Sequence, residues 1–353
     1  MNNIFKKLFI VAFIIISSSG VYSQTEQGIN AAKSGDYLRA VELLKSSADK
    51  EDSYEVYYYY GLSLLNTGSI KLAETVLNKA LKKDDEGIGA LTTLGDLNSR
   101  KKDYDKANSY YKKALAADPE NIAVMLAQAK NLTKAGKLDE SNNVLLFAKT
   151  LKNDDPDIYT GIGDNYYYRR AFKPAQENYN KSLSIKANNP KAHFGLGQIH
   201  FREKEFNDAL DQYNEAIKDN PNFADAYLEK GRLLYFSEKF DEALTTFEKY
   251  SKLQPGSTEG LTYIAKVKYG QKKYDEALTI LDDVVTKNPG EDLSSAYKYL
   301  AYVYNDKQEY QKALDDFNKV PKNLYDTEDY VKLAQIYLNL NNTDKAYESF
   351  NEA

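Results

Sequence analysis

The 353-residue chain contains no cysteine and no tryptophan, and only two histidines. Without cysteine there can be no disulfide, thiolate nucleophile or thiolate metal site. A lipid attached through an N-terminal cysteine is excluded for the same reason, so the chain is not a lipoprotein. The histidines, His193 and His200, share one helical face but have no accompanying ligand set, and both fall at positions that pack in other stretches of the chain. They are therefore expected to be packing residues. No Gly-x-Ser-x-Gly elbow or His-Glu-x-x-His pair occurs. Gly161–Gly163 and Gly195–Gly197 lack the third glycine and preceding strand of a dinucleotide loop. Hence no catalytic residue, metal or cofactor is expected, and the chain is expected not to be an enzyme. An excess of basic charge is also missing. Lys and Arg total 47 against 52 Asp and Glu, for a net charge of −5. That balance disfavours nucleic acid as a partner, because phosphate binding rests on cationic neutralisation.

Long apolar runs are scarce as well. The longest, Leu8–Ile16, follows Lys6 and Lys7 and precedes small residues up to Ser23. Basic start, apolar centre and small-residue exit make the pattern of a secretory leader over residues 1–23. The run is too short for a membrane span, which needs about 20 residues. Export is therefore expected, to the periplasm, the outer-membrane surface or the medium, with no membrane span in the mature chain. The Ser-Gln junction resembles that of exported proteins of the Bacteroidetes.

What the chain has in abundance is repetition. A small residue recurs at Ala40, Ala73, Ala107, Ser141, Ala175, Ala209, Ala243, Ala277, Ala313 and Ala346, at intervals close to 34. Twelve residues before each stands Gly or Ala: Gly28, Gly61, Gly95, Ala129, Gly163, Gly197, Gly231, Ala265, Ala301 and Ala334. Four residues after each anchor stands a large apolar or aromatic residue, such as Leu77, Tyr111, Tyr213 or Phe247. A fixed period of this size marks a solenoid. Within each unit the apolar positions follow helical spacing, so each unit reads as two antiparallel helices. A mid-helix glycine costs about 1 kcal/mol against alanine, so repeated glycines at one phase need a close approach of backbones. Asp118-Pro119, Asn220-Pro221, Gln254-Pro255 and Asn288-Pro289 are expected to end second helices. Pro321 comes early in the ninth unit and is expected to shorten its second helix or bend its end.

The unit resembles the tetratricopeptide repeat, most clearly in Leu196-Gly197…Ala209…Tyr213…Ala216…Pro221 and Tyr227…Gly231…Ala243…Phe247…Pro255. The resemblance runs from about residue 25 to the last. It implies an all-α fold, a right-handed superhelical solenoid of about ten helix-turn-helix units. Their expected limits are roughly 24–53, 54–87, 88–121, 122–155, 156–189, 190–223, 224–257, 258–293, 294–326 and 327–353. Ser141 in place of alanine and the longer Asn288–Ser295 loop depart from the pattern.

In this family the first helix of each unit lines the concave wall, and the resemblance implies a non-enzymatic scaffold that binds a peptide segment or partner protein there. The concave positions implied are Asp96, Lys130, Asp164, Gln198, Arg232, Lys266 and Tyr302 in one row. Tyr167, Phe201, Tyr235 and Tyr269 fall in a second, and Phe194 and Lys298 in a third. Arg232, Lys266 and Lys298 beside Tyr235, Tyr269 and Tyr302 suggest a grip on an acidic, apolar segment, since Arg and Tyr are enriched at binding hot spots. Alternatively, these tyrosines pack between first helices and the charges are a solvated face. The Lys-and-Asn carboxylate clamp of chaperone-binding members is not matched. Two further readings are a component of an envelope secretion or polysaccharide-export assembly and an accessory subunit of an enzyme complex. In the tyrosine run Tyr57–Tyr60, Tyr57 and Tyr60 should pack inward and Tyr58 should face the groove.

Overall fold

The computed structural model describes residues 24–288 and 292–353. The leader pattern at residues 1–23 lies outside the described residues. The chain divides into two compact bodies, one reaching to Lys186 and the other spanning Ala187–Ala353.

The described residues of the first body form ten helices. They are α1 (24–33), α2 (Tyr37–Ala48), α3 (Tyr54–Asn66), α4 (Ile70–Lys83) and α5 (Ile88–Arg100), followed by α6 (Tyr104–Ala117), α7 (Ile122–Lys134), α8 (Leu138–Leu151), α9 (Pro156–Tyr168) and α10 (Phe172–Ile185). The second body repeats the plan. It holds α11 (Pro190–Arg202), α12 (Phe206–Asp219), α13 (Ala224–Phe236), α14 (Phe240–Leu253) and α15 (Thr258–Gly270), then α16 (Tyr274–Lys287), α17 (Ser294–Asp306), α18 (Tyr310–Phe317), α19 (Thr327–Asn339) and α20 (Thr343–Glu352). Odd-numbered helices are the first of each pair. Within each body they also pack on one another, whereas successive even-numbered helices pack less. The odd helices therefore form the inner, more crowded wall of each body.

The glycine phase has a steric cause. A Cβ on Gly95 would lie 2.5 Å from the Tyr111 ring, and one on Gly231 would lie 2.6 Å from the Phe247 ring. The large residue of the second helix thus lies directly over the first helix backbone. The anchor alanines from Ala40 to Ala313 are fully buried, as are Tyr111, Tyr179, Tyr213, Phe247 and Phe317. Phe350, at the same phase in α20, is 46% exposed. Ala209→Leu should force side chains into this layer and cost about 1–3 kcal/mol. Chemical denaturation would detect that loss, and unchanged stability would mean that the two helices do not meet at Ala209.

Ser141, the exception among the anchors, is fully buried with its hydroxyl satisfied. It donates to the Ala129 carbonyl at 2.9 Å and accepts from Asn165 Nδ2 at 2.9 Å. Helix ends follow the expected proline logic. Residues Asp118, Asn220 and Gln254 leave the helical region, with φ of −139°, −140° and −125°. Turns inside the pairs close differently. Lys102 N donates to Ser99 O and Asp103 N to Asn98 O, while Lys102 takes φ of 62°. This crossed pair of bonds satisfies carbonyls at the end of α5.

Pro321 acts as expected. Helix α18 has 8 residues, against 14 in α16. A short 3-10 turn, Lys322–Leu324, follows, and Tyr325 then folds back. Its ring meets Phe317 edge-on at 5.7 Å and its hydroxyl donates to the Phe317 carbonyl at 2.6 Å. Tyr325 thus occupies space beside Phe317 that the missing helical turns would otherwise cover.

Candidate partner-binding groove

In the first body the concave row contains Asp96, Lys130 and Asp164. Lys130 is exposed. Asp96 accepts the Tyr111 hydroxyl at 2.7 Å, and Asp164 accepts that of Tyr179 at 2.7 Å. Both tyrosines fill the core above the glycine phase, so each aspartate satisfies a hydroxyl at the core margin. Tyr167 is half-buried, with its ring 5.9 Å from that of Phe172. Tyr57 and Tyr60 are buried, whereas Tyr58 is half-buried. The Tyr58 ring stacks on Tyr54 at 5.9 Å and lies close to Gly89 of the next first helix.

In the second body, Phe194 packs against Phe223 and Tyr213, with ring centres 5.2 and 5.9 Å away. Phe201 meets Phe206 at 5.8 Å, and Gln198 is half-buried. Both histidines are half-buried as well. His193 Nδ1 lies 2.8 Å from Gln212 Oε1, and His200 Nδ1 lies 2.6 Å from Glu205. His200, Glu205 and Asp208 bring potential ligand atoms within 4.8 Å of one another. Both carboxylates are exposed, and Glu205 already faces the imidazole.

The remaining residues converge on α13, α15 and α17. Tyr235 and Tyr299 bring their hydroxyl oxygens to 3.2 Å. Tyr269 meets Tyr299 edge-on at 5.7 Å, and Tyr299 lies 5.2 Å from Tyr302. Tyr269 also donates to Asp306 at 2.9 Å. The tyrosines therefore bind successive first helices together. Tyr299 completes this cluster although it falls in none of the three rows. Its place three residues before Tyr302, on the same helical face, was the available signal.

One expected groove residue proves to be internal, and a second, half-buried, is tied to it through a shared carboxylate. Tyr302 is 4% exposed and donates to Asp329 at 2.7 Å. Lys298 pairs with the same carboxylate and also donates to the Leu324 carbonyl at 2.5 Å. Asp329 is fully buried and closes the N-terminus of α19 in a capping box. Lys298 and Tyr302 are thus committed to the next unit rather than presented to a partner.

Arg232 is paired to Glu229 at 2.9 Å. Lys266 differs, since it forms no ion pair among the described residues. Its ammonium lies 4.5 Å from the Tyr263 ring centre and 4.8 Å from that of Tyr299. Burial is the main cause that lowers its pKa to about 8; Arg232 and Lys298 add to the effect, and Glu259 opposes it. Lys266 also lines a cleft of about 320 Å³, together with Thr258, Glu259, Thr262, Asp292 and Ser295. An under-compensated cation between two aromatic rings, at the edge of an open cleft, is suited to receive an anionic group.

An all-helical repeat array with an inner wall of packed tyrosines and a cleft lined by Lys266, Glu259 and Asp292 defines a helical-repeat scaffold. A tetratricopeptide repeat model matches residues 25–88, 160–222, 194–258 and 228–292, and a second matches 100–161. The chain belongs to the tetratricopeptide repeat family, whose fold is typical of non-enzymatic scaffolds that bind proteins. A model described as the Csm6 6H domain matches residues 262–346. The type IV pilus assembly protein PilF of Pseudomonas aeruginosa is 26% identical over 144 residues, covering 40% of this chain. The chain spans 57% of the length of that relative. Among solved structures, the Cut9–Hcn1 hetero-tetramer of the APC/C superposes with a TM-score of 0.59 at 15% identity, covering 93% of this chain and 79% of that one. The human IFIT1 dimer with m7Gppp-AAAA gives 0.58 at 16%, covering 91% and 78%. Both share the fold. No helix among the described residues is long and apolar enough to cross a membrane.

Proposed function

We propose that the inner wall of the second body holds a segment of a partner protein, and that Lys266 anchors an acidic side chain or terminal carboxylate of that segment. The observation that carries this reading is Lys266 itself, half-buried between Tyr263 and Tyr299 at the edge of a cleft and without an ion-pair partner among the described residues. Thr258 and Thr262 line the same cleft beside it. Arg232, one repeat earlier, is held in an ion pair with Glu229, while Phe194 and Phe201 offer apolar surface on the preceding first helix. The chain is assigned no reaction of its own, because binding accounts for the features of the cleft.

A second, compatible reading places this scaffold in an envelope assembly. The likeness to the pilus assembly protein PilF and the leader pattern of residues 1–23 both favour it. Export and periplasmic or outer-membrane residence belong to this reading.

The test is affinity co-purification from the producing cell, comparing the wild-type chain with Arg232→Glu/Lys266→Glu. A partner recovered in stoichiometric amount with wild type should be lost with the variant, provided that the variant keeps its helical circular dichroism. Equal recovery with both would remove the binding site from this wall.

A further inference from the structure

The first body carries a second cleft, of about 580 Å³, at the turns joining paired helices. Arg100, Lys102 and Lys134 line it with Tyr104 and Tyr168, and no carboxylate does. Arg100 donates to the Leu65 carbonyl at 3.0 Å, and neighbouring cations on the same edge are paired to carboxylates of other units. Lys101 and Lys106 reach Glu74 at 3.1 and 3.2 Å, and Lys137 reaches Asp105 at 2.6 Å. Arg169 pairs with Asp139. Lys102 is exposed and has no ion-pair partner among the described residues.

The opposite edge, formed by the loops between units, has the reverse character. Asp84, Asp85 and Glu86 are exposed between α4 and α5, Glu120 between α6 and α7, and Asp154 between α8 and α9. Lys83 and Lys152 on this edge are matched to Asp52 and Asp155. Three successive pairs, α5/α6, α7/α8 and α9/α10, contribute basic turns to one edge, and the loops before them contribute the acidic edge. Both rows therefore advance by the same step per unit, and two copies laid side by side bring basic turns against acidic loops over several units at once.

We propose that the first body self-associates, the cleft over Arg100, Lys102 and Lys134 of one copy receiving the acidic inter-unit loops of a second copy. The contact uses two different edges and is heterologous. Association is therefore open-ended rather than confined to a dimer, and it weakens as salt screens the charges. This inference is independent of the groove in the second body, and Lys266 plays no part in it.

Sedimentation velocity on the full chain at low salt tests it. The average mass of the wild type should rise with concentration beyond that of a dimer and fall back to the monomer at high salt. Lys102→Glu/Lys134→Glu turns the cleft acidic, whereas Asp85→Lys/Glu86→Lys turns the α4–α5 loop basic. Each variant alone should remain monomeric, and an equimolar mixture should associate. The mixture guards against misfolding, since an unfolded variant could not restore assembly. A wild-type monomer at every concentration overturns the proposal. So does association that survives in both single variants, or a monomer that binds anionic vesicles instead.

Discussion

Asp329→Ala should destabilise the second body by about 3–5 kcal/mol, the range for removing one partner of a buried ion pair. The carboxylate is fully buried, receives Lys298 and Tyr302 from α17, and closes the start of α19 by accepting from Asp326 N at 2.9 Å. Its loss would leave an ammonium whose side chain is only 16% exposed with the Leu324 carbonyl and the more distant Asp326, 4.0 Å away, as its remaining partners. It would also leave a buried phenol without its acceptor. Because units in such arrays interact mainly with neighbours, the damage should concentrate in α17–α20 rather than spread evenly. Hydrogen exchange should report faster opening there, while α11–α14 change little. Lys298→Met combined with Asp329→Ala should lose less than the two single substitutions summed, since it removes the under-compensated charge. A loss within about 1 kcal/mol for Asp329→Ala would contradict the attachment of Lys298 and Tyr302 to this carboxylate.

Lys266→Met should do the opposite and stabilise the protein at neutral pH. Burial holds the folded-state pKa of Lys266 at about 8, whereas an unfolded lysine titrates near about 10.4. Below pH 8 both states are protonated, and the folded state carries the full penalty of the buried charge. Between these two pKa values the unfolded chain binds the extra proton, so wild-type stability rises with pH through this window. At about 1.4 kcal/mol per pKa unit, with a discount for partial exposure, the neutral-pH gain of the variant should be about 1–3 kcal/mol. That gain should shrink above pH 8 and vanish above about pH 10.4. Urea unfolding across this range would show it, and a difference that stays constant with pH would contradict it. A lysine that weakens its own fold is more readily understood as serving a ligand than as serving stability.

The sequence made the repeat legible because its constraints recur. Gly95, Gly163, Gly197 and Gly231 answer the same steric demand from Tyr111, Tyr179, Tyr213 and Phe247. One position therefore corroborates the next. Pro321 was legible as well, since a missing donor and a fixed φ act locally. The site was less so. Lys298 and Tyr302 follow the phase of the inner wall, but their partner Asp329 stands in the next unit, where no periodic template predicts it. The links from Asp96 to Tyr111 and from Asp164 to Tyr179 span 15 residues within one pair. The shared Gly-Asp and tyrosine positions carry that signal, although the repeat phase alone places both aspartates only on the inner wall. Lys266 was recognisable as a position, but its lack of an ion-pair partner was not, because that depends on what neighbouring helices fail to supply. The division after Lys186 has no counterpart in composition, since the repeat continues through it.

Site-specific photo-crosslinking places the partner on the protein surface. A crosslinker at Ser295, exposed at the Lys266 cleft, is compared with one at Thr279, exposed on the second helix α16. The account predicts that the partner recovered with the wild-type chain is captured from Ser295 and not from Thr279, and that Lys266→Glu abolishes the capture. Capture from Thr279 alone, or capture from Ser295 that is indifferent to Lys266→Glu, would contradict it.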